Sequence, residues 1–292
     1  MNKKRIDWVN TTFIASTHLI AVFAVVYLAA IHFSWWTLGL GLLWGPLCGV
    51  SITGGYHRLF SHRTYRATWI VRAFYLFFGA GAFQNSVLKW SVDHRIHHRH
   101  VDGDKDPYNI EKGFWWAHVG WILFRAEDQV DLSQAKDLWN DRLVRFQHRF
   151  YLPIAVTSGF ILPGLIGMLW GDPLGAVLVA GFLRLALIWN ATFSINSVAH
   201  VLGSRPYSLA NSARDSIVTA LISLGEGYHN FHHRFQSDYR NGIRWYHYDP
   251  TKWWLWTLSK VRLVKDLKRV PREAIEAARQ AVRAQKSAGS PA

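Results

Sequence analysis

The chain is poor in sulfur and in acid. Its 292 residues include one cysteine (Cys48), two methionines, and 19 acidic side chains against 33 Lys and Arg, a formal charge of +14. A single cysteine excludes a disulfide framework, a Cys-rich zinc site and a cysteine-held iron–sulfur cluster. There is no glycine-rich nucleotide loop, no internal repeat and no nucleic-acid recognition motif, so the positive charge is not read as a nucleic-acid footprint. A lipid surface or an acidic protein remains. A cleavable signal peptide is not expected either. The apolar stretch after Lys3, Lys4 and Arg5 is too long and lacks a small-residue cleavage site.

What is abundant is hydrophobic and aromatic. Half of the residues are hydrophobic, with 16 Trp, 17 Phe and 11 Tyr, and Trp and Tyr gather at membrane–water interfaces. Four stretches of roughly 20 residues are long enough to cross a bilayer core of about 30 Å: 11–31, 35–55, 152–170 and 174–195. The short connections inside each pair, His32-Phe33-Ser34 and Gly171-Asp172-Pro173, carry no Lys or Arg. The positive-inside rule therefore places both connections outside and both termini in the cytoplasm. The expected fold is an all-α integral membrane protein. Two transmembrane hairpins carry a cytoplasmic helical cap (56–151 and 196–271), and a C-terminal helix and loose tail follow over 272–292. Arg184 falls mid-span, where a charge must pair or face a polar interior.

A fifth apolar stretch, 69–88, could span by hydropathy. Crossing would put His57 and His62 on the opposite side from His94 onward, so it is read as an interfacial or re-entrant helix. The Trp-rich segment 253–263 is a similar candidate.

Most of the fifteen histidines are grouped. His57 and His62 lie in HRLFSH, His94, His97 and His98 in DHRIHHRH, His200 in NSVAH, and His229, His232 and His233 in GEGYHNFHH. Positions i, i+3 and i+4 share a helix face, so each HxxHH set can converge. His57 and His62, five apart, suit a helix end turning into a loop. Neutral imidazole binds borderline metals such as iron, zinc and copper. Eight or nine imidazoles exceed one ion, so two adjacent metals are expected. His18, His32, His118, His148 and His247 stand alone and are read as packing or hydrogen-bonding residues, and His100 lies outside the repeated spacing. Asp93, Asp102, Asp106 and Glu226 are candidates to orient ligand imidazoles.

With these four motifs in this order, the chain resembles the membrane fatty acid desaturases, most closely the stearoyl-CoA (acyl-CoA delta-9) type, including bacterial members. The resemblance runs from about Asn10 to Pro271. It implies a di-iron centre, with one iron on His57, His62, His94, His98 and His232. The other would take His97, His200, His229 and His233, with Asn196 reaching it through a water. It also implies O2 as co-substrate and a cis double bond placed in a long-chain acyl thioester, acyl-CoA or another. Substrate contacts carry over to Asn10, Asn85, Asp93 and Arg125. The family's arginine before Asp93 is Val92 here, its lysine after Arg125 is Ala126, and a tryptophan is Phe193; Lys89 is a substitute cation.

A fused haem-binding domain is not expected, so electrons should come from a separate carrier (cytochrome b5-, ferredoxin- or flavodoxin-like) with its reductase, docking on the basic face. The expected location is a bacterial inner membrane. A histidine-box hydroxylase of alkyl or lipid substrates shares the metal chemistry and is the nearest alternative. A metal transporter, more distant, would place its ligands inside the spans.

Overall fold

The computed structural model describes residues 5–125 and 132–288, with the side chains of 125, 132 and 133 excepted. Four helices are long and apolar enough to cross a membrane: α1 (Trp8–Ile31), α2 (Trp35–Ser61), α6 (Tyr151–Trp170) and α7 (Pro173–Val201). Between them run α3 (Trp69–Ala80), α4 (Val87–His100) and α5 (Arg142–Arg149), and after them α8 (Ile217–Ile222), α9 (His229–Arg234), α10 (Pro250–Lys260) and α11 (Arg272–Ala288). Two small antiparallel pairs interrupt the helical pattern: β1 (Arg5–Ile6) with β3 (Phe124–Arg125), and β2 (Arg66–Ala67) with β4 (Val264–Lys265).

The second and fourth spans run further than their apolar stretches. At 27 and 29 residues they reach roughly 40 Å or more, well beyond a core of about 30 Å. These overshoots carry His57 and His200 out of the apolar zone. By contrast α3, with 12 residues, is about 18 Å long and too short to cross.

α2 is not an α-helix throughout. From Ser51 to Ser61 it winds as a π-helix, and the His62 amide bonds the His57 carbonyl at 3.1 Å. His62 is the C-cap of this helix, where the chain bends away, as expected of a helix end turning into a loop; the π winding is the added feature. A π turn places residues five apart on one face, as such turns often do at functional sites.

α3 and α4 pack on α2 through the main core, built on Trp44, Cys48, Tyr56, Phe60, Tyr75 and Leu88. Gly55 lies under the Tyr75 ring and Gly79 under the Tyr56 ring, where a Cβ on either would collide. Mid-span Arg184 has no carboxylate partner among the described residues. Its guanidinium donates instead to the carbonyls of Gly81 (2.6 Å), Ala180 (2.9 Å) and Gly159 (3.2 Å). At the opposite end, buried Asp172 accepts from Tyr27 at 2.8 Å, Thr37 at 2.5 Å and the Gly175 amide at 2.9 Å, pinning both hairpins together.

Candidate metal centre

The nine histidines of the four motifs come together in two adjacent groups. His57, His62, His94, His98 and His232 form one, and His97, His200, His229 and His233 the other; within each, the facing ligand atoms lie within 4.8 Å of one another. Neither HxxHH set converges on a single point. On a helix, the i+3 and i+4 positions flank residue i on opposite sides and point about 100° away from each other; α4 sends His94 and His98 to the first group and His97 to the second. α9 divides likewise: His232 to the first, His229 and His233 to the second.

The geometry fits two metal ions. Nε2 atoms face each other at 3.0 Å (His57–His232), 2.8 Å (His62–His94) and 2.9 Å (His98–His232) in the first group. In the second they face at 3.0 Å (His229–His233) and 3.3 Å (His97–His233). Ligands at right angles around an ion, each about 2.0–2.1 Å away, stand about 3 Å apart. Hydrogen bonding alone does not explain the contacts. The His57 Nδ1 faces a Glu226 oxygen at 2.7 Å and the His97 Nδ1 an Asp106 oxygen at 2.9 Å. A carboxylate only accepts, so each Nδ1 carries the proton and each Nε2 presents a lone pair. The His200 Nε2, buried, has no hydrogen-bond partner. Lone pairs converging in a buried space call for a cation.

Burial, reinforced by the neighbouring rings, holds His62, His94, His98, His229, His232 and His233 well below the usual imidazole range, so they are neutral donors. Behind the first group, Glu226 also accepts from Arg58 at 2.8 Å and Asn241 at 2.7 Å. Arg58 in turn meets Asp249 at 3.0 Å, with all of these side chains buried. Burial pushes the Glu226 carboxyl up, but His57 and Arg58 together pull it down further, to about 2. Behind the second group, the Ser212 hydroxyl accepts from His200 at 2.6 Å and donates to Asp102 at 2.6 Å. Three of the four candidate orienting acids thus stand behind imidazoles, Asp102 through Ser212. Asp93 does not: it lines the cavity below, and burial pushes it up to about 7.

Both groups open onto one cavity of about 1130 Å³, with His57, His94, His97 and His229 in its wall. Phe13, Ile14, Ile52, Leu187 and Ile188 make much of it apolar, while Arg99, Lys105 and Lys112 line it as cations. Asn10, Asn85, Asp93, Phe193 and Asn196 all line it too. The side chain of Arg125, and Ala126, lie outside the described residues. Val92 is fully buried, and Lys89 is not among the lining residues.

Several contributors escaped the sequence reading. Gln84 bridges the cavity wall, donating to Thr192 at 2.9 Å and accepting from the Trp90 indole at 3.1 Å. Ser212 and Asp249 have no spacing relation to the histidines, and Arg58, inside HRLFSH, was the only available hint. The solitary histidines do find local partners: His18 the Ile14 carbonyl, His118 Ser197, His148 Ser86, and His247 stacks on Tyr228. His100 lines the cavity outside both groups.

Comparison with known proteins agrees with this site. The fatty acid desaturase family profile matches residues 33–262. A probable acyl-CoA desaturase of Schizosaccharomyces pombe is 44% identical over 94% of this chain and 57% of its own length. Acyl-CoA desaturase 1 of Saccharomyces cerevisiae is 40% identical over 94% of this chain and 54% of its own. The stearoyl-CoA desaturase of Sus scrofa is 37% identical over 92% of this chain and 76% of its own. The chain spans little more than half the length of the two yeast relatives. It belongs to the fatty acid desaturase family.

Proposed function

We propose that this chain is an O2-dependent fatty acyl desaturase that places a cis double bond, at the delta-9 position, in a long-chain acyl-CoA. The observation that carries this is one apolar cavity whose wall holds both histidine groups. The relatives' names supply the substrate class.

The five-histidine and four-histidine groups would hold two irons, with Asn196 beside the second. Bound iron supplies the O2-dependent two-electron oxidation of adjacent methylenes. The protein positions the chain and excludes water. Phe13, Ile14 and Ile188 offer an unactivated alkyl chain only dispersion contacts, so shape fixes which carbons face the histidines. Gln84 is held at both ends of its amide, by the Trp90 indole and the Thr192 hydroxyl, which fixes its place in the wall. Glu226 and Asp106 hold their imidazoles in one tautomer throughout. Asn10, Asn85 and Asp93 would meet the thioester end, and Arg99, Lys105 and Lys112 are cations suited to the carrier's phosphates, where Val92 is too buried to help.

A separate electron carrier with its reductase completes the reaction, docking on the basic side of a bacterial inner membrane protein with cytoplasmic termini. Expression in a host lacking desaturase, followed by mass-spectrometric fatty-acid profiling, tests the reading. A new delta-9 alkene is expected; an alcohol without an alkene would assign the chain to the hydroxylases.

A further inference from the structure

Away from the histidine cavity, a second hollow of about 600 Å³ is lined only by Trp139, His148, Phe146, Phe150 and three arginines, Arg142, Arg145 and Arg149. Its composition follows from α5. One face of this helix is locked into the protein: Val144 is fully buried, and Gln147 accepts from the Val87 amide at 3.1 Å and donates to the Tyr56 hydroxyl at 2.7 Å. The other face is exposed and carries the three arginines. Phe146 and Phe150, four apart, pack with tilted rings whose centres are 4.9 Å from each other, and both stay exposed.

The charges there are uncompensated. Among the described residues, none of the three arginines is in an ion pair and no carboxylate lines the hollow. The nearby described acids are engaged elsewhere: Asp141 with Arg72, and Asp137 with Arg63 and Arg95. The location matters equally. Arg149 precedes the first residue of span α6, Tyr151, by two positions, so the patch sits where a bilayer's headgroups meet the protein.

We infer that this hollow is a binding site for an anionic phospholipid of the surrounding bilayer. The phosphate would lie among the Arg142, Arg145 and Arg149 guanidiniums, which favour phosphate as a planar, multidentate donor set. The glycerol and upper acyl chains would lie against Phe146, Phe150 and Trp139. Exposed aromatics beside cations at a span's end are poorly suited to water and well suited to that interface. An acidic protein would satisfy the guanidiniums but leave unexplained the exposed aromatics interleaved with them.

The test uses the full chain in nanodiscs of equal phosphatidylglycerol and phosphatidylcholine, extracted gently, with retained lipid identified by native mass spectrometry. Wild type is expected to retain phosphatidylglycerol selectively. The combined variant Arg142→Gln, Arg145→Gln, Arg149→Gln should lose that selectivity about tenfold or more, since each cation near an anionic surface contributes to binding. A charge-matched control, Lys265→Gln, Lys268→Gln, Arg272→Gln, should keep it. Unchanged selectivity in the arginine variant, with an unchanged thermal midpoint, overturns the inference, as does equal loss in the control. Should the triple variant fail to fold, Arg145→Gln alone decides by the same ratio.

Discussion

The two histidine groups are built from the same kind of ligand yet held very differently. The five-histidine group is backed by a closed network, Glu226–Arg58–Asp249, whose side chains are all buried and all paired. The four-histidine group rests on Asp106 and on the Ser212–Asp102 relay, with the Asp102 side chain 20% exposed and the His229 Nδ1 unpartnered. The first group offers five imidazoles; the second offers four, all of them buried, and has Asn196 beside it in the cavity wall. The difference lies behind the ligands: a buried ion-pair network supports the first group, a partly exposed acid acting through a hydroxyl supports part of the second.

Losing a ligand from either group should have the largest effect. Outer hydrogen-bond partners of metal ligands typically matter by 10–100-fold, so removing a ligand itself should cost more than about 100-fold in activity. His232→Ala and His233→Ala, assayed for alkene formation, should both fall this far. Survival of either would break the comparison on that side.

The supports should separate the groups. Glu226→Gln leaves Arg58 with one buried carboxylate instead of two, and breaking such a pair costs about 3 kcal/mol or more. Ser212→Ala should cost much less, because Asp102 lies 3.7 Å from the His200 Nδ1 and a shift of less than an ångström would let it accept that N–H. Thermal unfolding and metal affinity of the two variants check this, and equal losses would contradict it.

Acid dependence gives a smaller effect with a defined sign. Asp215 accepts from the Phe231 amide of α9 at 3.0 Å, and burial raises it from 3.8 to about 7. An acid raised on folding favours the fold below its unfolded value and loses that contribution as pH climbs through about 7. Asp215→Asn should therefore raise the unfolding free energy at pH 8 by about 1–2 kcal/mol after allowing for partial exposure, seen as a higher thermal midpoint, and do little at pH 4. Glu226 runs the other way. Lowered from 4.5 to about 2, it stabilises above its unfolded value, and that contribution fades as pH falls toward 2. A flat difference between Asp215→Asn and wild type across this range would remove Asp215 from the account.

Much of this could be read from residue order. Four apolar stretches, the short α3 and the grouping of the histidines are all carried by side-chain pattern, which hydropathy and helical spacing report directly. The division of each HxxHH between two groups is not, because spacing says only that the three share a face. The π turn joining His57 to His62 leaves no mark in residue type, since it is a change of backbone hydrogen bonding. Arg184 was legible as a charge needing a partner, but the partners are carbonyls of Gly81, Gly159 and Ala180, and any residue carries a carbonyl. Ser212 and Asp249 reach the site only through long-range folding.

The central claim is that two distinct ions sit in these two unequal groups. Mössbauer spectroscopy of protein loaded with enriched iron tests it most directly. The account predicts two distinct iron environments in equal amounts per chain, with His62→Ala removing one and leaving the other in place. A single environment, or one iron per chain in the wild type, would contradict it.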